Sequence, residues 1–212
     1  MDNPVIIFGT GGLGRAALEI FESNHNIVYG FLEDDKSQHG TELDNVPVLG
    51  ETDDDGFLKL IGKKCEAFIA TDDNKLKRNL ASMLIDRRKV MPVNAVHAAS
   101  AVSRSAQLGH GNFINGGVTI GAGVQIGSHC LLHSGATIDH NCQLGDFVQI
   151  GAGASVSSNV KIGEGAFIGT GVTIVPGIEI GAGARIGAGS VVIADVKKGM
   201  TVFGNPAVPV EK

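Results

Sequence analysis

A six-residue period in the second half of the chain restricts its fold more than any other feature. From Val96 to Val192, every sixth residue is isoleucine, leucine or valine, without a break over 17 positions. The fourth residue after each of these aliphatic residues is small or of modest size. The residue directly after each aliphatic residue is very often glycine. A fixed period of this kind is the signature of a structure built from stacked repeats.

Each repeat predicts a short strand followed by a three-residue corner. The small and the aliphatic residue point inward, the residue between them points outward, and glycine at the corner permits backbone angles that are closed to other residues. Three repeats form one triangular coil of 18 residues, and such coils stack about 4.8 Å apart through parallel-sheet hydrogen bonds. Asn112 takes an inward position and is predicted to be buried and hydrogen-bonded. Cys130 and Cys142 also take inward positions, where we expect packing and not reactivity.

The first half of the chain has the pattern of a small α/β domain. An apolar run at residues 5–8 ends in a glycine-rich turn at residues 9–14, and a helical pattern follows. A second apolar run ends in Glu33-Asp34-Asp35, about 20 residues later, where an acidic side chain often meets a ribose hydroxyl. This order favours ligand binding over a purely structural turn. Because only roughly 90 residues are available, a mononucleotide or nucleotide sugar suits this domain better than a dinucleotide. Pro92 marks the boundary, which predicts domains at residues 1–92 and 93–212.

Charge and cysteine content exclude several classes of protein. The net charge is −5 and neither half carries a basic stripe, so no nucleic-acid partner is expected. No apolar run approaches the length of a membrane span and no secretory leader pattern is present, which predicts no membrane association. Three cysteines cannot form a fully paired framework, which favours a reduced, cytoplasmic compartment.

His140 differs from the other histidines of the repeats in its surroundings. It lies in Asp139-His140-Asn141 at a corner, and the 18-residue coil places Ser158 at the same corner one coil further on. A side-chain base then lies beside a backbone N–H about 5 Å away. Acetyl transfer from a thioester needs a neutral imidazole that accepts a proton and a fixed amide that holds an oxyanion. Gln149 points outward on the following strand and is expected to reach the acyl group as well.

The two halves together resemble the bacterial nucleotide-sugar acetyltransferases of the hexapeptide-repeat superfamily. This group includes UDP-4-amino-sugar N-acetyltransferases and sialic acid O-acetyltransferases. The most specific stretches are residues 135–142, 158–163, 167–171 and 204–207. The resemblance implies a mainly β fold, with a left-handed parallel β-helix preceded by a small Rossmann-like α/β domain. It also implies a homotrimer that uses acetyl-CoA as cosubstrate, a nucleotide sugar as acceptor and no metal.

The resemblance also implies a role for each candidate residue. His140 would be the general base, the amide of Ser158 would polarise the acetyl carbonyl, and Asn141 takes the position of the usual orienting carboxylate. Coenzyme A would lie in a groove between two prisms, and the nucleotide sugar on the first domain. The residues implied for coenzyme A are Gln149, Gly169, Thr170, Gly171, Gly187, Ala188, Gly189, Asn205 and Pro206. Those implied for the nucleotide sugar are Gly11, Gly12, Leu13, Glu33, Asp34 and Lys36.

Departures from the family pattern keep a second interpretation open. Asn141 cannot stabilise an imidazolium by charge, Gln149 stands where many members have a second histidine, and Ser158 where many have glycine. The glycine turn reads Gly-Leu-Gly in place of the frequent Gly-His-Gly, and residues 72–74 replace a stretch that usually contains glycine. The alternative is therefore a non-catalytic trimeric scaffold that binds nucleotide and coenzyme A. A γ-type carbonic anhydrase needs two histidines five residues apart, and the repeats contain no such pair.

Overall fold

The computed structural model describes residues 3–210 and divides into two compact units between Ala98 and Ala99. Assigning separate functions to residues 1–92 and 93–212 stays a prediction. None of the helices within residues 3–210 has both the length and the apolar character of a membrane-crossing segment.

The first unit is built around a parallel sheet with the strand order β3-β4-β2-β1-β5. Strands β1, β2, β4 and β5 are parallel, and β3 joins β4 as an antiparallel edge. The strands of this sheet are β1 (Val5–Phe8), β2 (Val28–Leu32), β3 (Glu42–Leu43), β4 (Val46–Gly50) and β5 (Glu66–Ile69), and β6 (Ala95–Val96) lies outside it. The helices are α1 (Gly12–Ser23), α2 (Asp55–Leu58) and α3 (Asn74–Arg88), with a short 3₁₀ turn at Lys36–Gln38.

Helices cover both faces of this sheet, which explains why β1 is apolar at every position. Phe8 packs in one cluster with Leu80 and Leu84 of α3. On the other face, Phe21 of α1 meets Phe68 of β5 edge-on, with ring centroids 5.5 Å apart. A strand that is buried on both faces has no outward position to fill with polar side chains.

The second unit is a prism with three faces of short parallel strands. The first face contains β7 (Ala101–Val102), β10 (Thr119–Ile120), β13 (Thr137–Ile138), β16 (Ser155–Val156), β19 (Thr173–Ile174) and β22 (Val191–Val192). The second face contains β8 (Gln107–Leu108), β11 (Gln125–Ile126), β14 (Gln143–Leu144), β17 (Lys161–Ile162) and β20 (Glu179–Ile180). The third face contains β9 (Phe113–Ile114), β12 (Leu131–Leu132), β15 (Gln149–Ile150), β18 (Phe167–Ile168), β21 (Arg185–Ile186) and β23 (Thr201–Gly204), which turns back as the antiparallel β24 (Ala207–Pro209).

The predicted coil of 18 residues is confirmed by the strand register. Thr137 pairs with Ser155 and Ile138 with Val156, and the same offset relates the neighbouring strands of all three faces. The final coil is shorter, because Arg185 pairs with Thr201. From residue 112 onward the small and aliphatic residues of the repeats are buried and form a core along the axis. The unit is a left-handed parallel β-helix. Asn112 is fully buried, donates to the Gly127 carbonyl oxygen and accepts from the Cys130 N–H, as predicted.

The reason for glycine at the corners differs from the predicted one. Where glycine follows the aliphatic residue directly, the next coil approaches closely: a Cβ on Gly121 would lie 2.8 Å from the backbone nitrogen of His140. Left-handed backbone angles occur two residues later, as at Gly123 with φ +70°. A corner of this kind therefore has two positions that favour glycine, one for space and one for conformation.

Candidate active site

The His140 corner, as we call it, joins the first face to the second and includes residues 139–141 and 157–159. Because Ile138 pairs with Val156, the two segments lie on adjoining coils. The Asn159 N–H donates to the His140 carbonyl oxygen over 3.0 Å, which fixes their spacing. The structure thus brings His140 and Ser158 together on one corner.

Asp139 holds the imidazole of His140. Its Oδ1 accepts from the His140 backbone N–H over 2.7 Å and lies 2.9 Å from the ring Nδ1. Hydrogen bonds from the His140 backbone and then its side chain lower the pKa of Asp139 below its usual value, so the carboxylate is charged at neutral pH. When Nδ1–H donates to this carboxylate, Nε2 is the basic nitrogen. Sequence reasoning missed Asp139 because it sought the orienting carboxylate on the other side of the histidine.

Asn141 does not take the orienting role that its position in the sequence implied. Its Nδ2 donates to Oδ1 of Asn159 on the next coil, at 3.4 Å. Its backbone is left-handed, with φ +59°, and Asn159 repeats this with φ +60°. Asparagine tolerates this region better than most residues, so the contribution of Asn141 seen here is to the shape of the corner.

The backbone amide of Ser158 remains available to a ligand. The Ser158 carbonyl oxygen accepts from the Gly177 N–H over 3.0 Å, whereas its N–H donates to no acceptor within residues 3–210. Ser158 as a residue is half-buried. Such a donor can bind a carbonyl oxygen that gains negative charge.

Gln149 lies on the third face, two strands after His140 and not on the following strand. Its register partner is Phe167, whose ring lies under the Arg185 guanidinium at 4.6 Å. The third face does not adjoin the His140 corner of the same chain, and contact of Gln149 with an acyl group stays a prediction. Only Gln149 of a second copy is free of this constraint.

A second corner, which we call the glycine corner, joins the third face to the first. It includes residues 151–153, 169–171 and 187–189, which contain only glycine, alanine and threonine. A Cβ on Gly171 or Gly189 would meet no atom within 4 Å, so this edge is open and nearly free of side chains. The structure brings six of the residues implied for coenzyme A together at this edge, namely Gly169, Thr170, Gly171, Gly187, Ala188 and Gly189.

The hairpin of β23 and β24 lies at the end of the glycine corner. Asn205 and Pro206, joined by a cis peptide bond, form its turn. The Gly204 N–H donates to Ser190 Oγ over 3.1 Å, which ties the turn to the prism. The Phe203 ring fills the space that a Cβ on Gly187 would need and is 55% exposed. Sequence reasoning missed this flat apolar surface beside the predicted adenine position.

The first unit contains a cavity of about 370 Å³ at the carboxyl ends of its strands. Helix α1 begins there, and its N-cap residue Gly11 supplies no side-chain hydrogen bond. The first N–H groups of this helix are therefore open to an anion such as a phosphate. Five of the six residues implied for the nucleotide sugar line the cavity, namely Gly11, Gly12, Leu13, Glu33 and Asp34. Lys36 is not among the lining residues, and its Nζ pairs with Glu51 at 2.8 Å.

Glu33 is held by the glycine turn. Its Oε2 accepts from the Thr10 N–H and the Thr10 hydroxyl, and its Oε1 from the Asp34 N–H. Burial raises the pKa of Glu33, but these hydrogen bonds outweigh it and the net pKa is below the usual value. Asp34 is similarly engaged, because its Oδ1 accepts from the N–H and hydroxyl of Thr52. Both carboxylates shape the cavity, and contact of either with a ribose stays a prediction.

The residues that the structure describes include no group of three or more His, Cys, Asp or Glu placed to hold a metal ion. Packing accounts for some histidines of the second unit. His129, for example, is buried and stacks on Phe147, with ring centroids 5.0 Å apart.

Comparison with known proteins covers both units. Residues 105–140, 141–175 and 159–194 match the family description "Bacterial transferase hexapeptide (six repeats)", and residues 4–84 match "PglD N-terminal domain". A search among curated proteins found no match.

Solved structures match along the whole chain. PerB from Caulobacter crescentus, in complex with CoA and GDP-perosamine, is 32% identical with a TM-score of 0.89, over 100% of this chain and 99% of that one. A mutant of the GDP-perosamine N-acetyl transferase from the same organism is 30% identical with a TM-score of 0.91 and the same coverage. The acetyltransferase domain of PglB from Neisseria gonorrhoeae, in complex with acetyl coenzyme A, is 28% identical with a TM-score of 0.89, over 99% and 100% of the two chains.

Proposed function

The chain belongs to the bacterial nucleotide-sugar acetyltransferases of the hexapeptide-repeat family, and on that premise we propose that it transfers the acetyl group of acetyl-CoA to an amino group on a nucleotide-linked sugar. The observation that carries the proposal is the joint placement of Asp139, His140 and the Ser158 amide at one corner. Transfer to nitrogen is supported by the similar proteins that act on GDP-perosamine.

His140 acts as the general base. Asp139 holds the Nδ1 side of the ring at 2.9 Å, so Nε2 takes the proton from the sugar amine as its nitrogen attacks the thioester carbonyl. The charge of Asp139 stabilises the imidazolium that results. The Asp139 carboxylate thus supplies the charge that Asn141 lacks. The missing charge was the main reason for preferring a non-catalytic scaffold, and Asp139 removes it.

The Ser158 N–H binds the carbonyl oxygen as it becomes negative in the tetrahedral intermediate. When the intermediate collapses, the carbon–sulfur bond breaks and the thiolate of coenzyme A takes the proton from His140. The products are the N-acetylated sugar nucleotide and free coenzyme A. No covalent enzyme intermediate is needed, because the thioester is already activated.

Acetyl-CoA binds along the glycine corner, and a second copy of the chain completes the site. The extended pantetheine arm suits an edge that carries no large side chain, and the exposed Phe203 beside Asn205 and Pro206 suits the adenine ring. The glycine corner and the His140 corner lie at opposite edges of the first face. One prism therefore cannot offer both to one thioester, whereas the glycine corner of one copy can face the His140 corner of the next. A closed trimer makes three such pairs.

The nucleotide part of the acceptor binds in the cavity of the first unit. The open N–H groups at the start of α1 suit its phosphates, and Leu13 offers an apolar wall. The cavity of about 370 Å³ lies at the small end of the range for ligand sites, about 300–1,000 Å³. It suits part of a nucleotide sugar and not a dinucleotide.

The test is release of thiol from acetyl-CoA with a panel of GDP-, UDP- and dTDP-linked 4-amino sugars. Wild-type protein is expected to release thiol with at least one acceptor, and His140→Ala to lower the rate to background while still binding coenzyme A. Binding of coenzyme A by both proteins without thiol release from any acceptor would support the scaffold and refute the enzyme.

A further inference from the structure

The thiol of Cys142 lies inside the prism, directly behind the His140 corner. Cys142 is fully buried, and its Sγ is 3.1 Å from the carbonyl oxygen of Ser157. That carbonyl belongs to the same peptide unit as the Ser158 N–H. A trans peptide is planar, so the direction of its carbonyl fixes the direction of its N–H on the opposite side.

Several other corners hold the equivalent carbonyl with a hydrogen bond inside the turn, and the Ser157 corner does not. In the corner at residues 151–154, the Ala154 N–H donates to the Gly151 carbonyl oxygen, and the corner at residues 163–166 makes the same bond. Within the described residues the Val160 N–H makes no such bond to Ser157. The Ser157 carbonyl is therefore held by the preceding coil and not by its own turn.

Two other corners use the same device, which makes it a property of the inward position. Asn112 Nδ2 donates to the Gly127 carbonyl oxygen at 3.0 Å, and Cys130 Sγ lies 3.2 Å from the Gly145 carbonyl oxygen. Both of those corners join the second face to the third, away from His140. Cys142 is the member of this set that lies behind the proposed oxyanion donor.

We propose that Cys142 is a positioning residue for acetyl transfer: its S–H holds the Ser157 carbonyl inward and thereby points the Ser158 N–H outward toward the reacting thioester. The inference rests on the proposed function, because it assigns a support to that site. Burial raises the pKa of the Cys142 thiol, so the group stays protonated and able to donate at neutral pH.

The test compares the variants C142V, C142S and C130V by thiol release under saturating acetyl-CoA. C142V removes the donor without leaving a cavity, since valine fills the equivalent inward position at Val124 and Val160, whereas C142S keeps a donor. Complete loss of an oxyanion donor costs about 10²–10³ in kcat, and loss of its support is expected to cost C142V about tenfold. The KM for acetyl-CoA and the pH profile set by His140 should not change. C142S should stay within about threefold of wild type although a buried hydroxyl lowers its Tm.

C130V is the matched control, because it removes the same kind of contact at a corner without catalytic groups. It should lower Tm as much as C142V and leave kcat unchanged. If C142V prevents folding, C142A is the replacement, since alanine fills the small inward position of other repeats, as at Ala136 and Ala154. Wild-type kcat in a folded variant without the donor, or an equal loss in C130V, would overturn the proposal.

An infrared measurement separates this inference from the proposed function. The S–H stretching band of Cys142, identified by its disappearance in C142V, should lie at the lower wavenumber of a hydrogen-bonded thiol. A band at the position of a free thiol overturns the positioning role whatever the activity. Absence of thiol release by wild-type protein with any acceptor would instead refute the proposed function, and the band would still decide whether Cys142 holds Ser157.

Discussion

The position of the imidazole should depend on Gly121, one coil below it. An alanine Cβ at this site would lie 2.8 Å from the His140 backbone nitrogen, whereas ordinary contact begins at 3.4 Å. The two coils must therefore separate locally by about 0.6 Å. Because a displacement of about 1 Å can cost roughly 10²-fold in rate, we expect Gly121→Ala to lower kcat by about tenfold. Overpacking should also lower the free energy of unfolding by about 1–3 kcal/mol.

Gly145→Ala provides a matched control for this experiment. Its Cβ would lie 2.7 Å from the backbone nitrogen of Glu164, in the same geometry but at a corner without proposed catalytic groups. The two variants should lose similar stability in thermal unfolding, and only Gly121→Ala should lose kcat in the thiol-release assay. An equal loss of kcat in both, or full kcat in a destabilised Gly121→Ala protein, would refute the assignment of chemistry to the His140 corner.

Three further experiments test the remaining parts of the site. Asp139→Asn should lower kcat by no more than about fivefold, because the pair with His140 is exposed and screened. Asp139→Ala should lower kcat further, since it also leaves the His140 N–H without its acceptor. Equal kcat values for the two variants across a pH series would contradict this order. Glu33→Gln should lower Tm near neutral pH, and the difference from wild type should shrink as the pH falls below the ordinary glutamate pKa of 4.5, because a carboxylate with a lowered pKa loses its stabilising effect on protonation; a difference that grows with acid would refute it. Equal amounts of His140→Ala and Thr170→Arg subunits should together regain about a quarter of the activity if each site joins two copies, because about a quarter of the sites then receive an intact His140 and an intact glycine corner. No recovery after subunit exchange would place His140 and the glycine corner of one site in the same chain.

The sequence pattern predicts the β-helix more completely than the site, because the helix is repetitive and local. One inward pair per repeat and a register of 18 residues determine every coil before the last, so the corner shared by His140 and Ser158 follows from arithmetic. The face that a residue occupies follows from the same count, and Gln149 was misplaced only where that count was not carried through. The position of the cavity in the first unit could also be predicted from the sequence, since strand ends and the start of a helix define it.

Side-chain direction within a corner does not follow from the period. Asp139 and Asn141 flank His140 symmetrically in the sequence, and only the backbone angles determine which one meets the ring. The left-handed φ at Asn141 directs its amide along the stack to Asn159, which leaves Asp139 beside Nδ1. The thiol contact of Cys142 with Ser157 is likewise a matter of distances across coils, because a period identifies inward residues without saying what they touch.

Corners without glycine nevertheless indicate where the catalytic residues lie. The glycine corner keeps glycine at its first and third positions in residues 169–171 and 187–189, whereas residues 139–141 and 157–159 contain none. Residues other than glycine in left-handed conformations are uncommon and frequently mark functional sites. His129 and Phe147 also adopt positive φ, but they are buried and stacked on each other, so packing explains them. At the His140 corner the residues with positive φ are Asn141 and Asn159, and both are exposed, so packing does not explain their conformation. A corner that gives up glycine at both positions and leaves its side chains in solvent is therefore the corner at which a ligand should be sought.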